Sequence, residues 1–217
     1  MPVTQWFILK SLTIPSSWIA LLAAFIITGL IVWKRYGKQA ENMYSDIVII
    51  FIVVWKLSVV VTDFNMVVDS PLMILYFNGG QTGIYLGVVA ALIRTFFALK
   101  KNGFSVKDTE IALFSIILIQ CIYQVLMVFL NDGTNWQGML TFTIFTIISF
   151  AVLLYISKGT LWRIQLATIM LLVMLLIGTI QPEGMNQTPI LTTIVCMLAI
   201  FPILFKQVKQ KPTEERI

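Results

Sequence analysis

The 217-residue chain contains no histidine. That absence removes the usual imidazole base, His-ligated metals and His-ligated haem. There are two cysteines, Cys121 and Cys196, and no CxxC spacing. A disulfide framework, a thioredoxin-type pair and a cysteine zinc site are thereby excluded. Charge is scarce as well: Lys, Arg, Asp and Glu make up 12% of the residues, against about 25% in a soluble domain. No nucleotide-binding glycine loop, no carboxylate pair on one span and no Ser-Lys dyad stands out, and neither a metal nor a cofactor is expected.

What fills the chain instead is apolar. Hydrophobic residues reach 59%, against about 45–50% in soluble proteins, and mean hydropathy is +0.92. A water-soluble globule of this size has no interior large enough to hide that surface. A soluble enzyme, a disordered regulator and a nucleic-acid-binding domain are excluded, and no nucleic-acid partner is expected despite a net charge of +5.

A membrane helix needs about 20 mostly apolar residues. Seven stretches qualify: Ser16–Trp33, Ile47–Thr62, Gly80–Leu99, Ile111–Leu130, Met139–Ile156, Leu161–Ile180 and Ile190–Phe205. The short run Pro71–Phe77 reads as re-entrant or interfacial. Twelve of the 15 basic residues fall on alternate connections: Lys34, Arg35 and Lys38; Lys100, Lys101 and Lys107; Lys158 and Arg163; Lys206, Lys209, Lys211 and Arg216. The opposite connections carry Asp63, Asp69, Asp132 and Glu183. The positive-inside rule then puts the N-terminus outside and the C-terminus in the cytoplasm. The expected fold is all-α: a polytopic membrane bundle of seven helices, with one transmembrane domain over residues 1–206 and a charged tail over 207–217. Met1–Leu12 has no basic n-region, so no cleavable signal peptide is expected. Its Trp6 and Phe7 suit a membrane interface.

Polar groups inside the spans are costly and mark candidate sites. Lys56 lies in the second span, where it meets either a lipid phosphate or Asp63, two turns on. Arg94, in the third, is placed to snorkel towards the nearby basic end. Gln120 and Gln124 share a face of the fourth span at i,i+4, to hold a ligand or a neighbouring helix. Asn78-Gly79-Gly80 opens the third span with free N–H groups at a helix N-terminus, a natural seat for a phosphate. Gly83, Gly87 and Ala91 continue small residues at four-residue spacing, which favours close helix packing. Gln181 ends the sixth span beside Pro182 and Gly184, a helix stop. The two cysteines read as packing residues.

In this order, the motifs resemble bacterial prolipoprotein diacylglyceryl transferase almost end to end. The first span runs from Ser17-Trp18-Ile19 to Lys34-Arg35-Tyr36-Gly37. Val54-Trp55-Lys56-Leu57-Ser58-Val59 stands where the family has a stretch with an arginine, which Lys56 matches. Ser70-Pro71-Leu72 stands for its Asn-Pro-like loop, and Phe77-Asn78-Gly79-Gly80-Gln81-Thr82-Gly83 resembles its His-Gly-Gly turn. Ile119-Gln120-Cys121-Ile122-Tyr123-Gln124 followed by Asn131-Asp132-Gly133 occupies the place of its long signature, and Thr179-Ile180-Gln181-Pro182-Glu183 that of its Arg-x-Pro-Asp motif. The family's histidine is Asn78 here, its arginines are Gln124 and Ile180, and its signature Asn and Glu are approximated by Asn131 and Asp132. The resemblance implies a phospholipid partner, with phosphatidylglycerol first, and a bacterial cytoplasmic membrane. The lost charges imply a non-catalytic relative that binds phospholipid, a lipoprotein or another membrane protein. Its alternatives are an active transferase using Lys56 or Arg94, and a small-molecule uptake subunit. The resemblance also implies a central cavity open to the outer leaflet, lined by spans two, three, four and six through Lys56, Asn78, Gln120, Gln124 and Gln181.

Overall fold

The structure is a computed structural model, and it describes residues 3, 5–9, 12–70, 74, 77–131, 136–181 and 184–210. The chain enters through a two-stranded antiparallel hairpin, β1 (Trp6–Leu9) and β2 (Leu12–Pro15), with Trp6 opposite Pro15. The rest is helical: α1 (Ser16–Tyr36), α2 (Lys38–Leu57), the short α3 (Val59–Thr62) and α4 (Phe64–Asp69), then α5 (Gly80–Lys101), α6 (Val106–Leu130), α7 (Trp136–Tyr155), α8 (Thr160–Ile180) and α9 (Thr188–Gln210). Seven helices are long and apolar enough to cross a membrane, with α2 and α3 forming one of them. The chain is a multi-pass integral membrane protein. Lipid offers no partner for backbone N–H and C=O groups, so a helix that satisfies its own is the form these apolar runs take.

Two helices begin five or more residues before hydropathy places them. The second span starts at Lys38 rather than Ile47, and the fourth at Val106 rather than Ile111. Both extensions are charged, and tertiary partners explain why they remain helical. Asp46 in α2 accepts from Arg94 of α5 at 2.9 Å, and Glu110 in α6 pairs with Arg163 of α8 at 2.5 Å. At the far end, α9 runs to Gln210, past the boundary expected at 206. Most of Pro71–Phe77, along with Lys10, Asp132, Gly133, Pro182, Glu183 and the tail from 211, lies outside the described residues.

α6 is the central helix. Five successive residues, Ile111 to Ser115, are buried, which requires neighbours on every side. Its chief neighbours are α1 and α7, while α2 packs on α5 and α8 on α9. The α2–α5 contact follows from the small residues at four-residue spacing. A Cβ at Gly79 or Gly83 would collide with Ser58 Oγ, and one at Gly87 would come within 3.0 Å of the Phe51 ring. Glycine is what lets the two backbones meet, as the sequence pattern anticipates. Gly80 adds a φ of +56° at the helix start, a left-handed geometry that a side chain resists.

Candidate functional site

The bundle has a basic end, where α1, α5, α7 and α9 finish, and an opposite end, where α5, α7 and α9 begin. Each end carries a polar cluster.

At the basic end the cluster is charged. The Glu110 carboxylate accepts from Arg163 Nη2 at 2.5 Å, from Tyr36 Oη at 2.9 Å and from Ser157 Oγ at 2.6 Å. Arg163 Nε donates to the Ile156 carbonyl at 3.1 Å. Arg35 donates to the Leu153 carbonyl and to Ser157 Oγ. Gln207 of α9 reaches the Phe104 carbonyl and Thr109 Oγ1. Helices α1, α6, α7, α8 and α9 are tied together here. Both Glu110 and Arg163 are buried. The carboxylate is occupied by three donors, which makes it a clamp rather than a base.

At the opposite end lies a chamber of about 690 Å³, within the size range of small-ligand sites. Ser17 and Trp18 of α1, Trp55 of α2, Gly80 and Gln81 of α5, Gln120 and Tyr123 of α6, and Thr188 and Thr192 of α9 line it, with Asn78, Asn186 and Gln187 from the adjoining loops. Trp6 of the hairpin and Phe77 complete its aromatic surface. The hairpin is held in place by Asn131 at the end of α6. Its Oδ1 accepts from Ser16 Oγ at 2.8 Å and from the Gln5 N–H at 3.3 Å, and its Nδ2 donates to the Met127 carbonyl. Amides, hydroxyls and aromatic rings share the lining with aliphatic groups, Val3, Pro15, Leu21, Ile84 and Pro189. Among the described residues no Lys, Arg, Asp or Glu lines it.

Asn78 is oriented by the turn it begins. Its Oδ1 accepts the Gly80 N–H at 2.9 Å, capping the first turn of α5. Its Nδ2 is then left buried with no acceptor. Trp55 is 6% exposed and stands edge-on to Trp18 at 5.4 Å, and its Nε1–H also has no acceptor. A buried donor left unpaired costs about 1–3 kcal/mol, and both of these belong to residues that line the chamber.

Deeper in the bundle a second space of about 180 Å³ adjoins the first, with Leu21, Ile84, Gln120 and Thr192 lining both. Phe25, Phe51, Val88 and Ile116 give it an apolar surface. Its hydroxyls are turned back on backbone carbonyls: Ser115 on Ile111, Thr95 on Ala91, Thr193 on Pro189 and Tyr44 on Phe25. Such local bonding removes their polarity from the space. The result is an apolar slot beneath a chamber of mixed polar and apolar lining.

Of the residues singled out in the sequence, Asn78, Gly80 and Gln120 line the chamber. Gly79 is buried against Ser58, a packing position. Lys56 is half-buried and lies outside the lining. One residue along a helix is a rotation of about 100°, and it is Trp55 that turns inward. Gln124 is 1% exposed, within the protein interior. It shares a helix with Gln120 but not the chamber. Gln181 is buried at the end of α8, 3.5 Å from Thr141 Oγ1 of α7. The sixth span supplies no lining residue, whereas the first and seventh do, because α8 packs against α9 and α7. Its Met174 Sδ lies 3.9 Å from Nε2 of the lining residue Gln120. Arg94 pairs with Asp46 rather than facing either space. Sequence reasoning does not single out Trp18, Trp55 or Gln187. The usable signal is two tryptophans, one early in the first span and one late in the second, which antiparallel helices bring to the same level.

Comparisons with protein-family models, curated proteins and solved structures find no match to this chain.

Proposed function

We propose that this chain is a lipid-binding membrane protein, a diverged relative of the prolipoprotein diacylglyceryl transferases that holds a lipid without transferring its diacylglyceryl group. The observation that carries the reading is the stacking of a chamber that mixes amides and hydroxyls with apolar groups on a nearly wholly apolar slot, with four residues common to both. An amphiphile has that same division. Its head group would occupy the chamber and part of one chain the slot. The alternation of basic and acidic connections supports a chamber at the outer leaflet of a bacterial cytoplasmic membrane, with the N-terminus outside. Phosphatidylglycerol is the lipid that the family resemblance suggests, and a lipoprotein or another membrane protein is the partner that would share it.

The non-catalytic part rests on charge. Diacylglyceryl transfer develops negative charge on a phosphate leaving group, and enzymes stabilise such charge with preorganised cations or donors. No cation lines the chamber among the described residues, and Lys56 and Arg94, the two candidates for a rewired mechanism, lie outside the lining. The test combines two assays. Supplied with phosphatidylglycerol and a lipobox peptide, the purified protein should form no diacylglyceryl peptide under conditions where an active family member does. Mass spectrometry of the protein released gently from membranes should show a tightly held lipid, lost when Val88→Trp fills the slot. Asn78-dependent transfer would overturn the non-catalytic reading. A protein with no retained lipid would overturn the binding reading.

A further inference from the structure

The chamber's chemistry specifies the head group more narrowly than its shape does. Three properties of the wall bear on it: its charge, its balance of donors and acceptors, and its aromatic surface.

An anionic head group is held best where a cation or several converging donors meet it, because a charge drawn out of water without them is disfavoured. The lining offers no Lys or Arg among the described residues. At the N-terminus of α5 the Asn78 side-chain oxygen already takes the Gly80 N–H at 2.9 Å, and at that of α9 Pro189 brings no N–H to the lining.

The amides of Gln81, Gln120, Asn186 and Gln187 present carbonyl oxygens as well as N–H groups, and Ser17 and Tyr123 bring hydroxyls that both donate and accept. A phosphate diester only accepts, and it would set its oxygens against those carbonyls. Hydroxyl groups donate and accept, so they can satisfy both kinds of wall group. The unpaired donors of Trp55 and Asn78 then gain acceptors without a charge being buried.

Trp6 and Trp18 add broad, rigid apolar faces, each with a polar N–H edge. Such faces suit the C–H surface of a sugar ring, whose hydroxyls project from its rim towards the amides.

Resting on the lipid-binding reading above, we infer that the chamber takes an uncharged, polyhydroxylated head group, a sugar on a lipid anchor, in preference to an anionic phospholipid.

The test is competitive binding. The full-length protein in nanodiscs of a zwitterionic phospholipid would receive equal small amounts of a monohexosyl diacylglycerol, phosphatidylglycerol and free diacylglycerol with matched chains. Native mass spectrometry after mild activation then reads which lipid stays. The hexosyl lipid should be retained about tenfold over phosphatidylglycerol, a margin that two to three net hydrogen bonds supply. Trp55→Phe keeps the ring and deletes the N–H, and should reduce that preference about three- to tenfold. Asn78→Asp keeps the cap on Gly80 and replaces the unpaired donor with an acceptor, and should reduce it comparably. Preferential retention of phosphatidylglycerol would overturn the inference and leave lipid binding standing. Equal retention of all three, unchanged in both variants, would also overturn it, since the head group would then go unread. Retention of no lipid above the bulk level would overturn the inference together with the reading beneath it.

Discussion

Glu110 and Arg163 at one end of the bundle, and Trp55 and Asn78 at the other, are all polar groups taken out of solvent, yet they are treated differently. At the basic end the charges meet each other, and Tyr36, Ser157 and a backbone carbonyl bond them further, leaving Arg163 Nη1 and Gln207 Oε1 without partners but with no cavity beside them among those described. Five helices converge there. At the opposite end no charged side chain lines the space among the described residues, two donors go unpaired, and the helices splay around about 690 Å³. Intramembrane polarity alone therefore does not mark a functional site. A polar group whose bonds are closed by its own chain ties helices together, while one whose bonds stay open, beside a space, is available to a ligand.

The strongest way to break this contrast is at the clamp. Glu110→Ala would leave the Arg163 guanidinium buried and uncompensated, a defect that costs about 3–5 kcal/mol. Thermal unfolding in detergent should show a larger loss than Gly83→Leu, Gln120→Leu or Arg94→Ala produces. Replacing both Glu110 and Arg163 by leucine should recover most of it, because no lone charge then remains. Lipid retention in the folded fraction of the double variant should be unchanged. Next in size is Gly83→Leu, which would drive a side chain into Ser58 and the Trp55 carbonyl and separate α5 from α2. Overpacking of this kind costs about 1–3 kcal/mol, and because Trp55 forms part of the chamber wall, retained lipid should fall along with stability. Gln120→Leu should leave stability nearly unaltered while weakening lipid retention about threefold, the worth of one modest net hydrogen bond. Native mass spectrometry can separate those two effects. The smallest change should come from Arg94→Ala. Its pair with Asp46 is partly exposed, and interhelical polar contacts of this sort average about 0.6 kcal/mol. Unfolding and lipid retention should both stay close to the parent protein.

Much of the architecture was legible in the sequence because lipid constrains it so tightly. An apolar run of about 20 residues has one stable form in a bilayer, and all seven appear. The spacing of Gly79, Gly83 and Gly87 encodes the α2–α5 contact in a single helix face. The Asn78-Gly79-Gly80 turn was visible as the opening of the third span, but its N–H groups read as free for a phosphate, whereas the Asn78 side chain takes the Gly80 N–H. Other features were not local. Hydropathy ended α2 and α6 at their charged segments because it cannot register partners 48 and 53 residues away. Arg163 looked like a loop charge for the same reason. Lys56 drew attention by its charge, but helix rotation decides which neighbour faces inward, and the sequence of one helix does not fix that angle. Gln124 and Gln181 show the same limit: being polar within a span does not say whether a side chain meets a ligand space or another helix.

The central claim is that a lipid head and chain occupy two particular, adjoining spaces. It is tested most directly by photo-crosslinking with two versions of one glycosyl diacylglycerol, one carrying a diazirine on the head group and the other on an acyl chain. The account predicts that the head-group probe labels peptides containing Trp18, Gln81 or Gln187, and that the chain probe labels those containing Phe51 or Ile116, with both signals competed by unlabelled lipid. Labelling confined to the bundle's outer surface, around Ile26 and Leu30 and insensitive to competitor, would contradict it.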